Sequence, residues 1–225
     1  KSALDANTTG YNNIAIGQDS LGGQTTANGN IAIGRDALKV TTAAPNIAIG
    51  HYALDANSTA TNNVAVGDLA LGANTTGSSN VAVGNNALDA NTTASSNTGI
   101  GGGALGANTT GDYNTAIGNL ALATNVTGAN CTAVGYNALN DSTVSNNTAV
   151  GTFAGQVISS GGNNVALGTY ALMSCTTGAS NTALGYGALD AITTGGYCTA
   201  VGENALGVTT ANDGTAVGRD ALRAT

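Results

Sequence analysis

From Asn63 the chain reads Asn-Val-Ala-Val-Gly67-Asp-Leu-Ala-Leu71-Gly-Ala-Asn-Thr-Thr-Gly-Ser-Ser79, and at Asn80 the phrase starts again as Asn-Val-Ala-Val-Gly84-Asn-Asn-Ala-Leu88. The glycine that ends Ala-(Val/Ile/Leu)-Gly serves as origin. It recurs at Gly17, Gly34, Gly50, Gly67, Gly84, Gly101, Gly118, Gly135, Gly151, Gly168, Gly185, Gly202 and Gly218, always 16 or 17 residues apart. Such a period decides the architecture before any local reading. One coil cannot bury its own apolar face, and stacked neighbours can.

The slots of the repeat differ in how tightly they are held. The residue before each glycine is aliphatic, from Ile16 to Val217, and the one before that is Ala except at Gly99. Asn stands four residues before the glycine in ten coils, with Cys131, Cys198 and Gly214 in the rest. Ala and Leu follow at three and four residues, as in Ala37-Leu38 and Ala188-Leu189. The two residues directly after the glycine vary freely (Arg35-Asp36, His51-Tyr52, Glu203-Asn204), which marks them as outward. Fixed small slots in strict register mean that like stacks on like, on parallel strands about 4.8 Å apart. The Asn column then reads as a ladder of side-chain amides and the second Thr of each pair as a hydroxyl ladder, with glycine permitting the corner. A helix is excluded, because Gly and Asn recur too often and no 3.6-residue apolar period exists. The fold expected is all-β: a parallel β-solenoid of about 13 coils of 16–17 residues. It forms a single continuous array over 1–225, open in mid-coil at Lys1 and at Thr225, as in a slice of a longer fibre.

Three coils, starting at Gly34, Gly135 and Gly202, have 16 residues. The spacing places the missing residue between the Leu and the Thr pair, as in Leu38-Lys-Val-Thr41, and so marks that arc as an exposed loop. After Gly151 the core Leu is absent; Phe153 or Val157-Ile158 is expected to fill its place, with a local bulge.

Composition narrows the function. Only 8% of residues are charged while 42% are apolar, so the chain is not disordered. The 12 Asp and Glu outweigh 5 Lys and Arg, leaving −7, against a nucleic-acid partner and against a polybasic membrane patch. No stretch approaches the roughly 18–20 apolar residues of a membrane-spanning helix. The single His51 stands in a variable slot without a fixed partner, and the carboxylates are scattered, so no catalytic residue, cofactor site or metal site is expected. Gly101-x-Gly103-x-x-Gly106 is the repeat glycine in a chance match to the dinucleotide fingerprint, with no helix to follow. Cys131 and Cys198 read as small buried replacements for Asn, and Cys175 as a loop residue. The adjacent Thr pairs point to opposite sides, which argues against an ice-binding face.

The strand Asn-x-Ala-(Val/Ile)-Gly alternates, so Ala and Asn share one face and two aliphatic positions the other. If Ala and Leu line the interior, the aliphatic rows form an outward stripe too large for a soluble monomer and call for partner chains. The alternative is that the aliphatic pair fills the interior and Ala is exposed. Two surface chemistries remain. Tyr52, Tyr136, Tyr170 and Tyr186 in the variable slots could contact a glycan or surface in a multivalent way. Asn57, Asn74, Asn91, Asn108 and Asn125 sit in Asn-x-Ser/Thr sequons and are candidate glycan acceptors, or else turn residues.

The phrase Asn-x-Ala-(Val/Ile)-Gly-x-x-Ala-Leu resembles the head repeats of the trimeric autotransporter adhesins (YadA-like heads). Asn114-Thr-Ala-Ile-Gly118 and Asn181-Thr-Ala-Leu-Gly185-Tyr-Gly-Ala-Leu189 are similar to the longer repeats of tail-fibre and surface-fibre arrays. The resemblance implies a left-handed β-roll, trimeric about a fibre axis, located outside the cell. The function expected is a structural fibre segment with its variable positions outward; the alternative is a carbohydrate- or surface-binding adhesive module.

Overall fold

A computed structural model of the chain describes residues 2–207 and 212–223. It is all-β, with thirteen strands of three or four residues. They are β1 (Ile14–Ile16), β2 (Ile31–Ile33), β3 (Asn46–Ile49), β4 (Asn63–Val66), β5 (Val81–Val83), β6 (Thr98–Ile100), β7 (Thr115–Ile117), β8 (Thr132–Val134), β9 (Thr148–Val150), β10 (Val165–Leu167), β11 (Thr182–Leu184), β12 (Thr199–Val201) and β13 (Thr215–Val217). The chain divides into two compact units, Lys1–Tyr113 and Asn114–Thr225. In the first, β1 to β6 follow one another in parallel, with Ala32 opposite Ala48 and Ala48 opposite Ala65. In the second, β7 to β13 do the same, with Ala166 opposite Ala183 and Ala183 opposite Ala200. Each unit is a parallel β-solenoid in which equivalent slots stack.

The repeat glycine is required twice over. Its φ lies between 122° and 142° in all thirteen positions, a region that L side chains rarely enter. A Cβ on Gly84 would also lie 2.6 Å from the carbonyl oxygen of Gly101 in the next coil. After it the chain makes successive four-residue turns. In the coil that starts at Gly67, Ala70 N–H donates to Gly67 O, Gly72 N–H to Leu69 O and Asn74 N–H to Leu71 O. These turns hold the second and fourth residues after the glycine in the left-handed region, as at Leu69 (57°) and Leu71 (53°).

A leucine in that conformation costs about 1–2 kcal/mol. Leu71 is completely buried, and burial of a leucine side chain returns about 2 kcal/mol. Its N–H also donates across coils to Ala87 O at 3.0 Å. Burial and intercoil bonding together outweigh the backbone strain, and the pattern therefore repeats from coil to coil. In most coils the interior holds one such Leu between Ala walls: Ala65, Ala70, Ala82 and Ala87 are all fully buried. Small walls let the coil close tightly around a single large side chain.

Two asparagine columns complete the interior. The first is the column four residues before the glycine, and its bonding differs from the expected amide-to-amide ladder. Asn63 Oδ1 accepts from the backbone N–H of Asn80 (2.9 Å), and Asn63 Nδ2 donates to Gly77 O (2.9 Å). The same pair of bonds recurs at Asn80 and Asn164. The hydroxyl ladder also shifts by one residue. The first of each Thr pair carries it, donating to a carbonyl of the next coil, as in Thr75 to Thr92 O (2.9 Å) and Thr176 to Thr193 O (3.0 Å).

The short coils lose a different residue from the one expected. Asn57 Nδ2 donates to Thr41 Oγ1, and Thr42 Oγ1 donates to Ser58 O. Thr41 therefore occupies an Asn slot and Thr42 the first Thr slot, so the second, exposed Thr is the one deleted. Ser142 and Thr143 follow the same rule, since Thr143 Oγ1 donates to Ser159 O. The third short coil passes through Val208 and Thr209, which lie outside the described residues. Lys1 and Thr225, where open coil ends are expected, lie outside them too.

The coil after Gly151 is corrected as well. It has no bulge: β9 and β10 pair in register, and Gly155 N–H donates to Ala171 O at 2.9 Å as the leucines do elsewhere. Gly155 takes the leucine slot at φ 58°. The side chain of Ile158, 1% exposed, fills the space, and Phe153 turns outward.

Candidate functional site

Two kinds of surface position are kept free of core duty: the outward face of the strands and the two slots after each glycine. Because the Ala and Asn side chains point inward, the residues on either side of each Ala point outward. In the first unit they are Ile14 and Ile16, Ile31 and Ile33, Ile47 and Ile49, Val64 and Val66, Val81 and Val83, then Thr98 and Ile100. In the second unit the first of the pair becomes Thr in every strand but β10, while the second stays aliphatic from Ile117 to Val217. Exposure of the second column reaches 59% at Ile16, 44% at Leu184 and 71% at Val217. Neither column contains a charged residue.

The variable slots divide in two. In the first unit His51 and Tyr52 lie 4.0 Å apart between ring centroids, with the Arg35 guanidinium 5.3 Å from the Tyr52 ring. Arg35 Nε donates to His51 Nε2 (2.8 Å), which leaves Nδ1–H to donate to Asp68 Oδ1 (3.0 Å). Both imidazole nitrogens are thereby engaged along a row of three coils. In the second unit Tyr136, Phe153, Tyr170 and Tyr186 form a continuous column, one ring per coil. Their successive centroids are 5.3, 5.6 and 5.6 Å apart. Phe153 and Tyr170 are stacked within 5° of parallel, and the flanking pairs meet edge to face at 81° and 89°. Each such pair stabilises by about 1 kcal/mol and fixes ring orientation. The structure thus unites three of the four tyrosines singled out from sequence and leaves Tyr52 in a separate cluster. Phe153 was missed because a lone Phe beside an absent core Leu reads as its replacement.

The sequon asparagines are not in an exposed arc. Asn57, Asn74, Asn91, Asn108 and Asn125 are all 0% exposed. They are the true amide ladder: Asn74 Nδ2 donates to Asn57 Oδ1 (3.1 Å), Asn91 to Asn74 (2.8 Å) and Asn108 to Asn91 (3.2 Å). Asn125 Nδ2 donates to Gly128 O (2.8 Å). A folded coil does not present these amides as glycan acceptors, and the reading of them as an outward row is corrected. Spacing alone does not place them inside, because the exposed second Thr recurs at the same 17 residues, as at Thr76, Thr93 and Thr110.

Cys175 is corrected in the same way. It occupies this second amide column, fully buried, with Sγ 3.5 Å from Gly178 O, and is not a loop residue. Cys131 and Cys198 lie buried in the first column, as expected. Burial pushes the thiols of Cys131 and Cys175 above the ordinary cysteine range. Alkylation by iodoacetamide at pH 7.5, followed by mass spectrometry, is therefore expected to modify none of the three in the native protein and all three in denaturant. Fast native labelling would contradict the packing described.

Comparison with known proteins finds no matching family model, no matching curated sequence and no matching solved structure.

Proposed function

We propose that the chain is a structural segment of an extracellular fibre and that copies of it associate through the outward face of the strands, as a homotrimer. One observation carries the reading. Among the slots that point outward, the one before the glycine keeps its aliphatic character while the two after it vary. The slots after the glycine accept Arg, Asp, His, Asn, Gly or Tyr, as solvent allows. The slot before it is Val, Ile or Leu in all thirteen coils, although in the isolated chain it is exposed at seven of them, Ile16 and Val217 among these, and half-buried at the rest. An exposed position has no packing reason to stay aliphatic, so a covering layer supplies one. The same uncharged stripe on symmetry mates is self-complementary, with like meeting like around an axis. Fixed slots filled by stacking from coil to coil support a structural role.

Light scattering on the purified chain tests this. The expected mass is three times 21.6 kDa. Replacing Ile117 and Val150 with Asp is expected to yield monomer with an unchanged β-sheet circular dichroism signal, since both sites are 39% exposed in the single chain. A monomeric parent protein at micromolar concentration overturns the reading.

A second reading, an adhesive module that binds carbohydrate through the variable slots, is favoured by the aromatic column of the second unit.

A further inference from the structure

We infer that the column of Tyr136, Phe153, Tyr170 and Tyr186 is a platform for an uncharged linear polysaccharide lying along it. The inference rests on the adhesive reading and names its ligand class and its place. The column occupies slots that the fold leaves free. Equivalent positions hold Asp19, Asn85, Gly103 and Asn119 in other coils, so nothing in the solenoid demands a ring there. Yet four of the chain's eight Tyr and Phe residues fall in four successive coils and touch. The rings remain accessible: Tyr136 is 47% and Tyr186 54% exposed.

Three features select the ligand. First, the column is periodic, with one ring per coil and nearly equal steps of 5.3 to 5.6 Å. A polymer with its own short repeat can engage all four rings, and many weak contacts add to useful avidity. Second, exposed aromatic surface with polar neighbours suits a sugar, whose ring C–H groups pack on it while its hydroxyls reach outward. Thr152 and Thr169 share the two-residue slots with Phe153 and Tyr170 and supply hydroxyls beside the rings. Third, no Lys or Arg occurs between Lys39 and Arg219, whereas Asp141 and Asp190 lie in the coils of the column. A sulfated or uronic acid polymer would find no cation here and would be repelled. A proline-rich peptide needs an aromatic-lined groove. The column stands on an outer turn, whereas two clefts of about 270 Å³, lined by Asp5, Lys39 and neighbours and by Pro45, Val64 and neighbours, lie in the other unit.

Isothermal titration of the full chain with cellohexaose, chitohexaose, a heparin hexasaccharide and a decaproline peptide tests the assignment. Saturable binding of at least one neutral hexasaccharide is expected, with heparin and decaproline at least tenfold weaker. The pair Phe153→Ser and Tyr170→Thr places residues tolerated in solenoid turns at the centre of the column and is expected to lower affinity tenfold or more. Tyr136→Asn with Tyr186→Asn probes its ends should the central pair fail to fold. Tyr52→Asn, in the other unit, is expected to leave binding unchanged. Absence of binding to both neutral sugars overturns the inference, as does binding insensitive to a folded column variant or preference for heparin or decaproline. Light scattering on the same samples separates the two proposals. A trimer without sugar binding rejects the column alone, and a monomer that binds sugar rejects the fibre interface alone.

Discussion

Replacing Gly84 with alanine is expected to destabilise the first unit by about 4 kcal/mol. A side chain at φ 135° carries strain of roughly 1–3 kcal/mol. The added Cβ would sit 2.6 Å from the carbonyl oxygen and 2.7 Å from the carbonyl carbon of Gly101. Overpacking against backbone costs roughly a further 1–3 kcal/mol, because a carbonyl in the ladder cannot rotate away without breaking its own bonds. Gly72→Ala is the matched control. Its Cβ approaches nothing closer than 3.3 Å and its φ is ordinary, and Ala123 already fills the equivalent slot. It is expected to change stability by less than about 0.5 kcal/mol. Urea denaturation followed by circular dichroism reads both. Equal midpoints for Gly84→Ala and the parent would contradict the stacked-glycine corner.

The second large effect belongs to the first asparagine column. Asn63→Ala is expected to cost about 3 kcal/mol. Asn63 is 1% exposed; its Oδ1 is the acceptor for Asn80 N–H and its Nδ2 the donor to Gly77 O. Alanine leaves that buried N–H without its partner, at roughly 1–3 kcal/mol, and removes a second buried bond besides. Gly77 O keeps its bond from Asn74 Nδ2 (2.9 Å), which limits the loss on that side. Hydrogen exchange gives a local readout: the Asn80 amide is expected to exchange faster in the variant by a larger factor than that of Ala82, two residues further on. Uniform acceleration across β4 and β5 would mean that the side chain acts through global stability alone.

Both predictions depend on positions that were legible in different degrees. The glycine column is visible as a period, and the reason for it follows from conformational freedom alone. The distance to the next carbonyl does not follow, because it depends on how closely two coils approach. The first asparagine column is equally visible, but its partners are not. The sequence suggests amide stacked on amide. The side chain instead reaches the backbone of the next coil on one side and a turn carbonyl on the other.

The amide ladder that does exist lies on Asn57, Asn74, Asn91 and Asn108, beside exposed Thr residues. Linear context hides this. A run such as Asn74-Thr-Thr-Gly has the composition of a surface turn, and only closure of the coil turns the Asn inward while the second Thr stays out. Phe153 shows the converse case. Its neighbours in sequence suggested a core filler, while its neighbours in space are Tyr136 and Tyr170, one coil away on each side.

The amino-acid sequence by itself determined the class of fold, the coil length and the stacking register, because a strict 16–17-residue period with Gly, Ala, Leu and Asn in fixed slots admits little else. It also separated fixed slots from free ones. The tertiary structure decided which side of each fixed slot faces inward. Ala and Leu fill the interior, the Val and Ile columns face out, the sequon asparagines are enclosed, and four aromatic residues meet in a column. The physical reason is that inward and outward are properties of the closed coil. Alternation along a strand fixes which residues share a face, and only closure around a one-leucine interior selects the face with side chains small enough to fit.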